Sequence, residues 1–310
     1  ASDVYKRQIR YYVQNEAQFV GLVSDSNGAY YYIDETKKAV RGESRRIDRF
    51  RANRLLPVGT WSFGEDGAMT NAPTLLAGDD MLNGLIRLAN GTIQYLQNGE
   101  PTFAGLVRSD AGDYYFIGPS KRALSNITYT FPTKYTNGLL PAGTYTFDST
   151  GKIAQLPELL AGDDYRNGLV RMPDGKVQYF RNGQPAFAGL LKSNAGDYYF
   201  IAPTGQAVRN REYAFSAQYA NGLLPAGTYT FDGAGKMTQM PVLLAGTDFM
   251  NGLVRLPDGK VQYYVDGKNT FAGLVRSDAG DYYFIGPSKR AVTGLSLIHI
   301  SEPTRHSLIS

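Results

Sequence analysis

Cysteine is absent from this 310-residue chain, which excludes disulfides, thiolate chemistry and Cys-ligated metals. Tryptophan occurs once and histidine twice. No apolar run approaches the roughly 20 residues of a membrane-spanning helix, so no membrane span is expected. Charge of either sign is scarce: charged residues make up 19%, and 32 basic against 28 acidic residues leave a net +4. What the chain has in excess is glycine, 35 residues, and tyrosine, 23. Glycine accepts positive φ cheaply, so its excess points to many tight turns. With 43% apolar and 13% aromatic residues, the chain can bury a core and is not a disordered tail.

The two ends read differently from the rest. Residues 1–8 are Ala-Ser-Asp-Val-Tyr-Lys-Arg-Gln, and residues 295–305 are Leu-Ser-Leu-Ile-His-Ile-Ser-Glu-Pro-Thr-Arg. Both peptides are translations of a common transposase-type sequencing adaptor. Two independent matches make chance a poor explanation, so residues 1–8 and 295–310 are read as adaptor-derived and set aside. Both histidines, His299 and His306, go with them, leaving residues 9–294 without His or Cys. This stretch starts and stops inside repeats, so a fragment is expected, and its lack of a signal peptide says nothing about export.

Asn83-Gly84-Leu85, Asn167-Gly168-Leu169 and Asn251-Gly252-Leu253 lie 84 residues apart. Between them, Ala-Gly-Asp-Tyr-Tyr-Phe-Ile recurs at 111–117, 195–201 and 279–285. The copies run 9–82 (truncated), 83–166, 167–250 and 251–294 (truncated). Such self-similarity marks an array whose units share a core. Within each copy three Gly-apolar stretches are each followed by a turn glycine. Large apolar residues then stand at alternate positions: Ile93 and Tyr95, Tyr114 and Phe116, Tyr145 and Phe147. Period two places each pair on one face of a strand. Asn90-Gly91, Asn98-Gly99 and their copies supply the residues that type I′ hairpin turns demand. The stretch 157–164 is expected to hold at most one short helical turn. The fold expected is all-β: an elongated, β-solenoid-like hairpin array with three hairpins per 84-residue repeat. A lone hairpin is marginal in water, and stacking lets neighbours share one core.

Gly105-Leu106-Val107 with Gly112-Asp113-Tyr114-Tyr115-Phe116, and Gly227-Thr228-Tyr229-Thr230-Phe231 with Gly235-Lys236-Met237, resemble the cell-wall-binding and glucan-binding (choline-binding-like) hairpin repeats of Gram-positive bacterial surface proteins. The resemblance spans residues 9–294. It implies secreted, non-catalytic β-hairpin solenoids that bind wall choline or α-glucan. Those families place Trp after the opening Gly, where this chain has Leu85, Leu106 and Leu139. Trp is the best cation–π partner, so its absence favours sugar stacking or a structural role over a choline cage.

The candidate ligand residues are the middle aromatics of each run, Tyr31, Tyr115, Tyr199 and Tyr283. Period two turns them away from their inward neighbours, and their counterparts Gln94 and Thr146 are polar. An outward phenol offers a sugar a flat face and a hydroxyl. The competing reading is that these rings pack on a neighbouring strand or connector. Tyr114, Phe116, Tyr145, Phe147 and their copies read as core, as do Phe19, Phe103, Phe187 and Phe271.

Other clusters carry less chemistry. Asp79-Asp80, Asp163-Asp164, Asp110/Asp113 and Asp278/Asp281 read as turn residues in preference to calcium ligands, because Asp hydrogen-bonds its own turn backbone. Arg41, Arg45, Arg46, Arg49, Arg51 and Arg54 read as a solvated connector of a diverged copy, with Glu43 and Asp48 interspersed. No nucleic-acid motif accompanies them, so no nucleic acid partner is expected. No catalytic motif, metal site or cofactor loop stands out. The expected function is a non-catalytic extracellular module binding cell-wall polymer or another glycan. The alternative is a structural spacer of a surface protein, and burial of the tyrosines would favour it.

Overall fold

The computed structural model describes residues 8–293. The adaptor reading of residues 1–7 and 295–310 therefore lies outside the described residues. Among those described, regular structure is β-strand apart from two 3-10 turns, Thr133–Tyr135 and Ala217–Tyr219. The chain divides into two compact units, Ala1–Pro157 and Glu158–Ser310. The dividing point falls just before the strand Glu158–Asp164.

Each full repeat contains one four-stranded antiparallel sheet followed by two-stranded hairpins. In the first unit the sheet is Thr74–Asp80, Asn83–Arg87, Ile93–Gln97 and Glu100–Thr102, in sequential order. An aromatic hairpin follows, Gly105–Arg108 with Tyr114–Ile117, then a Thr-rich hairpin, Ile127–Phe131 with Gly143–Phe147. The second unit repeats the pattern. Its sheets run Glu158–Asp164 to Gln184–Pro185 and Val242–Asp248 to Lys268–Thr270. Its aromatic hairpins are Gly189–Lys192 with Tyr198–Ile201 and Gly273–Arg276 with Tyr282–Ile285. Its Thr-rich hairpin is Arg211–Phe215 with Gly227–Phe231.

Three expectations are corrected by the structure. The first of the three hairpins is enlarged into the sheet, and the stretch expected to hold a helical turn forms its strand Glu158–Asp164. That strand and its copies carry bulges at Leu75/Ala77 and Gly78/Asp80 and at the matching positions. Gly78 has φ 114°, and a Cβ there would meet the Asn83 carbonyl and Gly84 Cα, both at 2.6 Å. Only glycine fits that approach. The turns differ too. Asn98-Gly99 has positive φ at both residues, as type I′ requires. At Asn90-Gly91 only Gly91 is positive. The Asn90 side chain instead accepts from the Thr92 N–H at 3.0 Å, closing a longer loop.

Successive hairpins are joined by the short tails that follow them. Ala123 N–H donates to Ile93 O at 2.8 Å, and Ile153 N–H donates to Tyr114 O at 2.9 Å. Ala207 to Val177, Met237 to Tyr198 and Ala291 to Val261 repeat the bond. Side chains then fill the layers between hairpins. Phe116, Phe131 and Tyr145 stack with ring centroids 5.0 and 4.9 Å apart. Phe200, Phe215 and Tyr229 repeat the ladder at 5.1 and 4.9 Å. Each fully buried aromatic side chain contributes roughly 1.5–3 kcal/mol, so this ladder is a main source of cohesion.

Candidate functional site

Alternation holds in the Thr-rich hairpin. Thr128 pairs with Thr146 and Thr130 with Thr144, their hydroxyls 2.9 and 2.6 Å apart on the open face. Phe131, Tyr145 and Phe147 lie on the other face, buried. The aromatic hairpin does not alternate, because both of its faces are covered. Tyr115 packs with Leu85, Ile93 and Ile117 against the preceding sheet. Phe116 packs against Phe131 and Tyr129 of the following hairpin. Strands covered on both faces read as continuous apolar runs.

The outward orientation expected of the middle tyrosines is therefore corrected for Tyr115 and Tyr199, each only 1% exposed. Tyr31 and Tyr283 are half-buried. The tips of these phenols reach charged rims. Arg87 donates to the Tyr115 hydroxyl at 3.5 Å, Arg171 to Tyr199 at 3.2 Å and Arg255 to Tyr283 at 3.0 Å. Tyr31 donates to Asp25 Oδ2 at 3.4 Å. Beside Tyr115, Lys152 pairs with Asp113 at 2.7 Å; beside Tyr199, Lys236 pairs with Asp197 at 2.6 Å. Burial pushes the Tyr115 and Tyr199 hydroxyls above the usual tyrosine range. Tyr31 is raised by burial and by the Asp25 charge.

Phe103 and Phe187, expected in the core, are each 38% exposed, and Phe271 is 55% exposed. Each stands at the rim of the layer that follows its sheet. Phe103 meets Tyr135 edge-to-face, centroids 5.0 Å apart and planes at 81°. Phe187 meets Tyr219 in the same way, at 5.1 Å and 81°. Tyr135 is half-buried and Tyr219 is 40% exposed. In the diverged first copy Arg51 takes the tyrosine's place, its guanidinium 4.0 Å from the Phe19 centroid. Sequence reasoning passed over Tyr135 and Tyr219. The available signal was an aromatic recurring inside a polar connector, after Pro132-Thr133-Lys134 and after Ser216-Ala217-Gln218.

The recurrent pair presents two perpendicular aromatic surfaces to solvent. Such a corner takes the apolar face of a sugar ring, or an alkylated ammonium. In the first unit Lys134 already lies over Tyr135, 4.6 Å from its centroid. In the second unit Gln218 holds that place, so the lysine that covers Tyr135 has no counterpart at Tyr219. The recurrent carboxylates are engaged in turns. Asp80 accepts from the Leu82 and Asn83 N–H groups at 2.7 and 2.8 Å, and Asp164 and Asp248 do the same in their copies. Among the described residues no group of three or more acidic or metal-ligating side chains is placed to hold a metal ion.

The solved structures that match include choline-binding repeat proteins. Choline binding protein F of Streptococcus pneumoniae matches at 15% identity over 91% of this chain and 89% of that one, TM-score 0.30. CbpJ of the same organism matches at 13% identity over 91% and 96%, TM-score 0.31. The modular autolysin LytC of Streptococcus pneumoniae, solved with a synthetic peptidoglycan ligand, matches at 14% identity and TM-score 0.28. This chain spans about half of that autolysin, 53%. No family model matches the sequence, and no curated protein does. Among the described residues no helix is long and apolar enough to cross a membrane.

Proposed function

We propose that the chain is a non-catalytic binding module of an extracellular surface protein, holding it to a glycan or other cell-wall polymer. The supporting observation is the solvent-open Phe–Tyr corner, built alike at Phe103–Tyr135 and Phe187–Tyr219. Tyr31 and Tyr283, half-buried, add a smaller ring edge and a hydroxyl. Tyr115 and Tyr199 support the layers from inside. Individually weak corners on one chain gain strength through multivalency when the polymer engages more than one.

The test is binding to dextran, β-glucan and solubilised peptidoglycan fragments, with folding followed by circular dichroism. The variants are Phe103→Ala/Tyr135→Ala and Phe187→Ala/Tyr219→Ala. Each is expected to weaken binding about ten-fold, the loss of roughly 1.4 kcal/mol of stacking. Tyr115→Phe/Tyr199→Phe should leave binding unchanged. The ligand-free spacer is the second reading, favoured by the burial of Tyr115 and Tyr199. It wins if none of these glycans binds, or if the aromatic corners can be removed without effect.

A further inference from the structure

The first unit carries a basic segment of which only Arg51, over Phe19, belongs to an aromatic corner. Arg46, Arg49, Arg51 and Arg54 are all exposed. At the matching positions the second copy has Thr130, Thr133, Tyr135 and Gly138, and the third has Ala214, Ala217, Tyr219 and Gly222. The loop keeps its path through these changes. Asn53, Asn137 and Asn221 have φ of 51°, 50° and 51°. Each donates its side-chain amide to two carbonyls at the start of its aromatic hairpin, such as Ala104 O and Leu106 O for Asn137.

Arg54 is the anomaly. Its φ is 60°, in the left-handed region, where the other copies place Gly138 (72°) and Gly222 (69°). That backbone state is unfavourable for a residue with a Cβ. Space is not the obstacle, since a Cβ on Gly222 would meet nothing within 4 Å. Neither Arg49 nor Arg54 makes an ion pair within 4 Å among the described residues. The carboxylate beside Arg54, Asp80, is held below its usual range chiefly by the Leu82 N–H, with Arg54 adding to the effect. A residue held in a costly backbone state, whose guanidinium forms no close ion pair among the described residues and acts on Asp80 only through its charge, points to function.

Arg49 and Arg54 line a cavity of about 280 Å³, faced by Asn98 and Glu100 and walled by Leu56. That is just below the roughly 300–1,000 Å³ in which proteins enclose drug-sized ligands, so it suits a single charged group with one sugar ring. The matching groove of the second unit, about 520 Å³, has Ala217 on the loop side and Lys268 where Glu100 stands. Lys260, Lys289 and Arg290 also line that groove, with Asp258, so its cations come from other elements and none from this loop.

We propose that this cavity binds the carboxylate or phosphate group of an acidic saccharide. Guanidinium groups recognise such oxyanions through bidentate hydrogen bonds. Asn98 offers a donor and an acceptor to ring hydroxyls, and Glu100 offers acceptors. The Glu100 charge also works against a bare dianion, so the sugar is needed as well as the acid. The site uses neither Phe103–Tyr135 nor Phe187–Tyr219, so either proposal can fail without the other.

The test titrates the full chain with trigalacturonate, glucose 6-phosphate, maltotriose and inorganic phosphate. It compares the native chain with Arg49→Thr/Arg54→Gly, which installs the residues of the second copy. At least one acidic sugar should bind ten-fold or more tighter than maltotriose and inorganic phosphate, and the variant should lose that advantage. Which acidic sugar binds identifies the group. Arg54→Gly alone should leave the melting temperature unchanged or raised. The proposal is overturned if neither acidic sugar binds, if the variant binds them equally well, or if Arg54→Gly lowers the melting temperature.

Discussion

Residues 102–123 and 270–291 are identical in sequence and fold into the same hairpin with the same register. Their burial differs mainly on one face, although on the other Tyr115 is 1% exposed and its copy Tyr283 is half-buried. Ile117 and Ile285, which face the preceding sheet, are both 0% exposed. On the other face Leu106 is 0% and Phe116 1% exposed, whereas Leu274 is 68% and Phe284 44%. Tyr282, expected in the core with its copies, is 65% exposed. A Thr-rich hairpin covers the first copy, and no described hairpin follows the second. Strand formation is thus a local property of this sequence, while burial of its aromatic run is set by its neighbour.

The largest effect comes from removing the shared ring. Phe116→Ala should destabilise the chain by about 3–5 kcal/mol, because it opens a cavity in the stack with Phe131 and Tyr145. Phe284→Ala, the same change in the same local sequence, should cost less than about 1 kcal/mol. Denaturant unfolding of the two variants checks this, and equal losses would break the comparison. It is sharpened by grafting a copy of residues 124–154 after Ala291, which should protect the hairpin Gly273–Arg276/Tyr282–Ile285 from hydrogen exchange.

Next comes a polar group inside the core. Tyr145 and Tyr229 donate their buried hydroxyls to Pro141 O and Pro225 O, both at 2.9 Å. Trp61 stands at the matching place in the diverged copy, and its buried Nε1–H has no partner among the described residues. Tyr145→Phe should cost about 1–3 kcal/mol by leaving Pro141 O unsatisfied. Trp61→Tyr should be more stable than Trp61→Phe by roughly 1 kcal/mol, because the new hydroxyl can reach the Pro57 carbonyl. Thermal unfolding of the four proteins measures both differences.

A smaller, pH-dependent contrast separates the sheets. The last sheet has buried Tyr264 where the earlier ones have Phe180 and Leu96. Its hydroxyl donates to Gln262, and burial, with Asp258 nearby, pushes it up to about 12. The unfolded value is near 10, so folding favours the protonated phenol. That stabilisation is complete below about pH 10 and is lost as pH rises toward about 12. Tyr264→Phe should remove roughly 1–3 kcal/mol of alkaline destabilisation over this window, read from urea midpoints at several pH values.

Much of this architecture was legible in the sequence. The 84-residue period, the turn glycines and the alternation in Thr128-Tyr129-Thr130-Phe131 led directly to all-β hairpins. Alternation failed at Tyr114-Tyr115-Phe116, because periodicity reports one covered face and cannot count two. The same limit hid the solvent-open corners. Phe103 and Phe187 look like core residues in any window, and only the rim they occupy exposes them. Arg54 was visible as one of a basic run, but its left-handed backbone emerges only when its copies, Gly138 and Gly222, are seen in the same turn.

The smallest effect concerns the tyrosines first expected to meet the ligand. Phenylalanine at Tyr115, Tyr199 or Tyr283 keeps the ring and removes only the hydroxyl that meets an arginine, at 3.5, 3.2 and 3.0 Å respectively. The two buried positions retain their packing, so each change should cost less than about 1 kcal/mol. The loss should grow as the bond shortens, but solvent can replace it most readily at half-buried Tyr283. Tyr199→Phe is therefore expected to lose the most of the three, and Tyr115→Phe, whose bond is at the limit of hydrogen-bond length, the least. Glycan affinity should follow a different order. Only Tyr283→Phe should change it, by no more than about two-fold, because a ring sealed between layers cannot touch a polymer. A large loss of binding in Tyr115→Phe with folding intact would return the site to the layer interior and displace the Phe–Tyr corners as the binding surface.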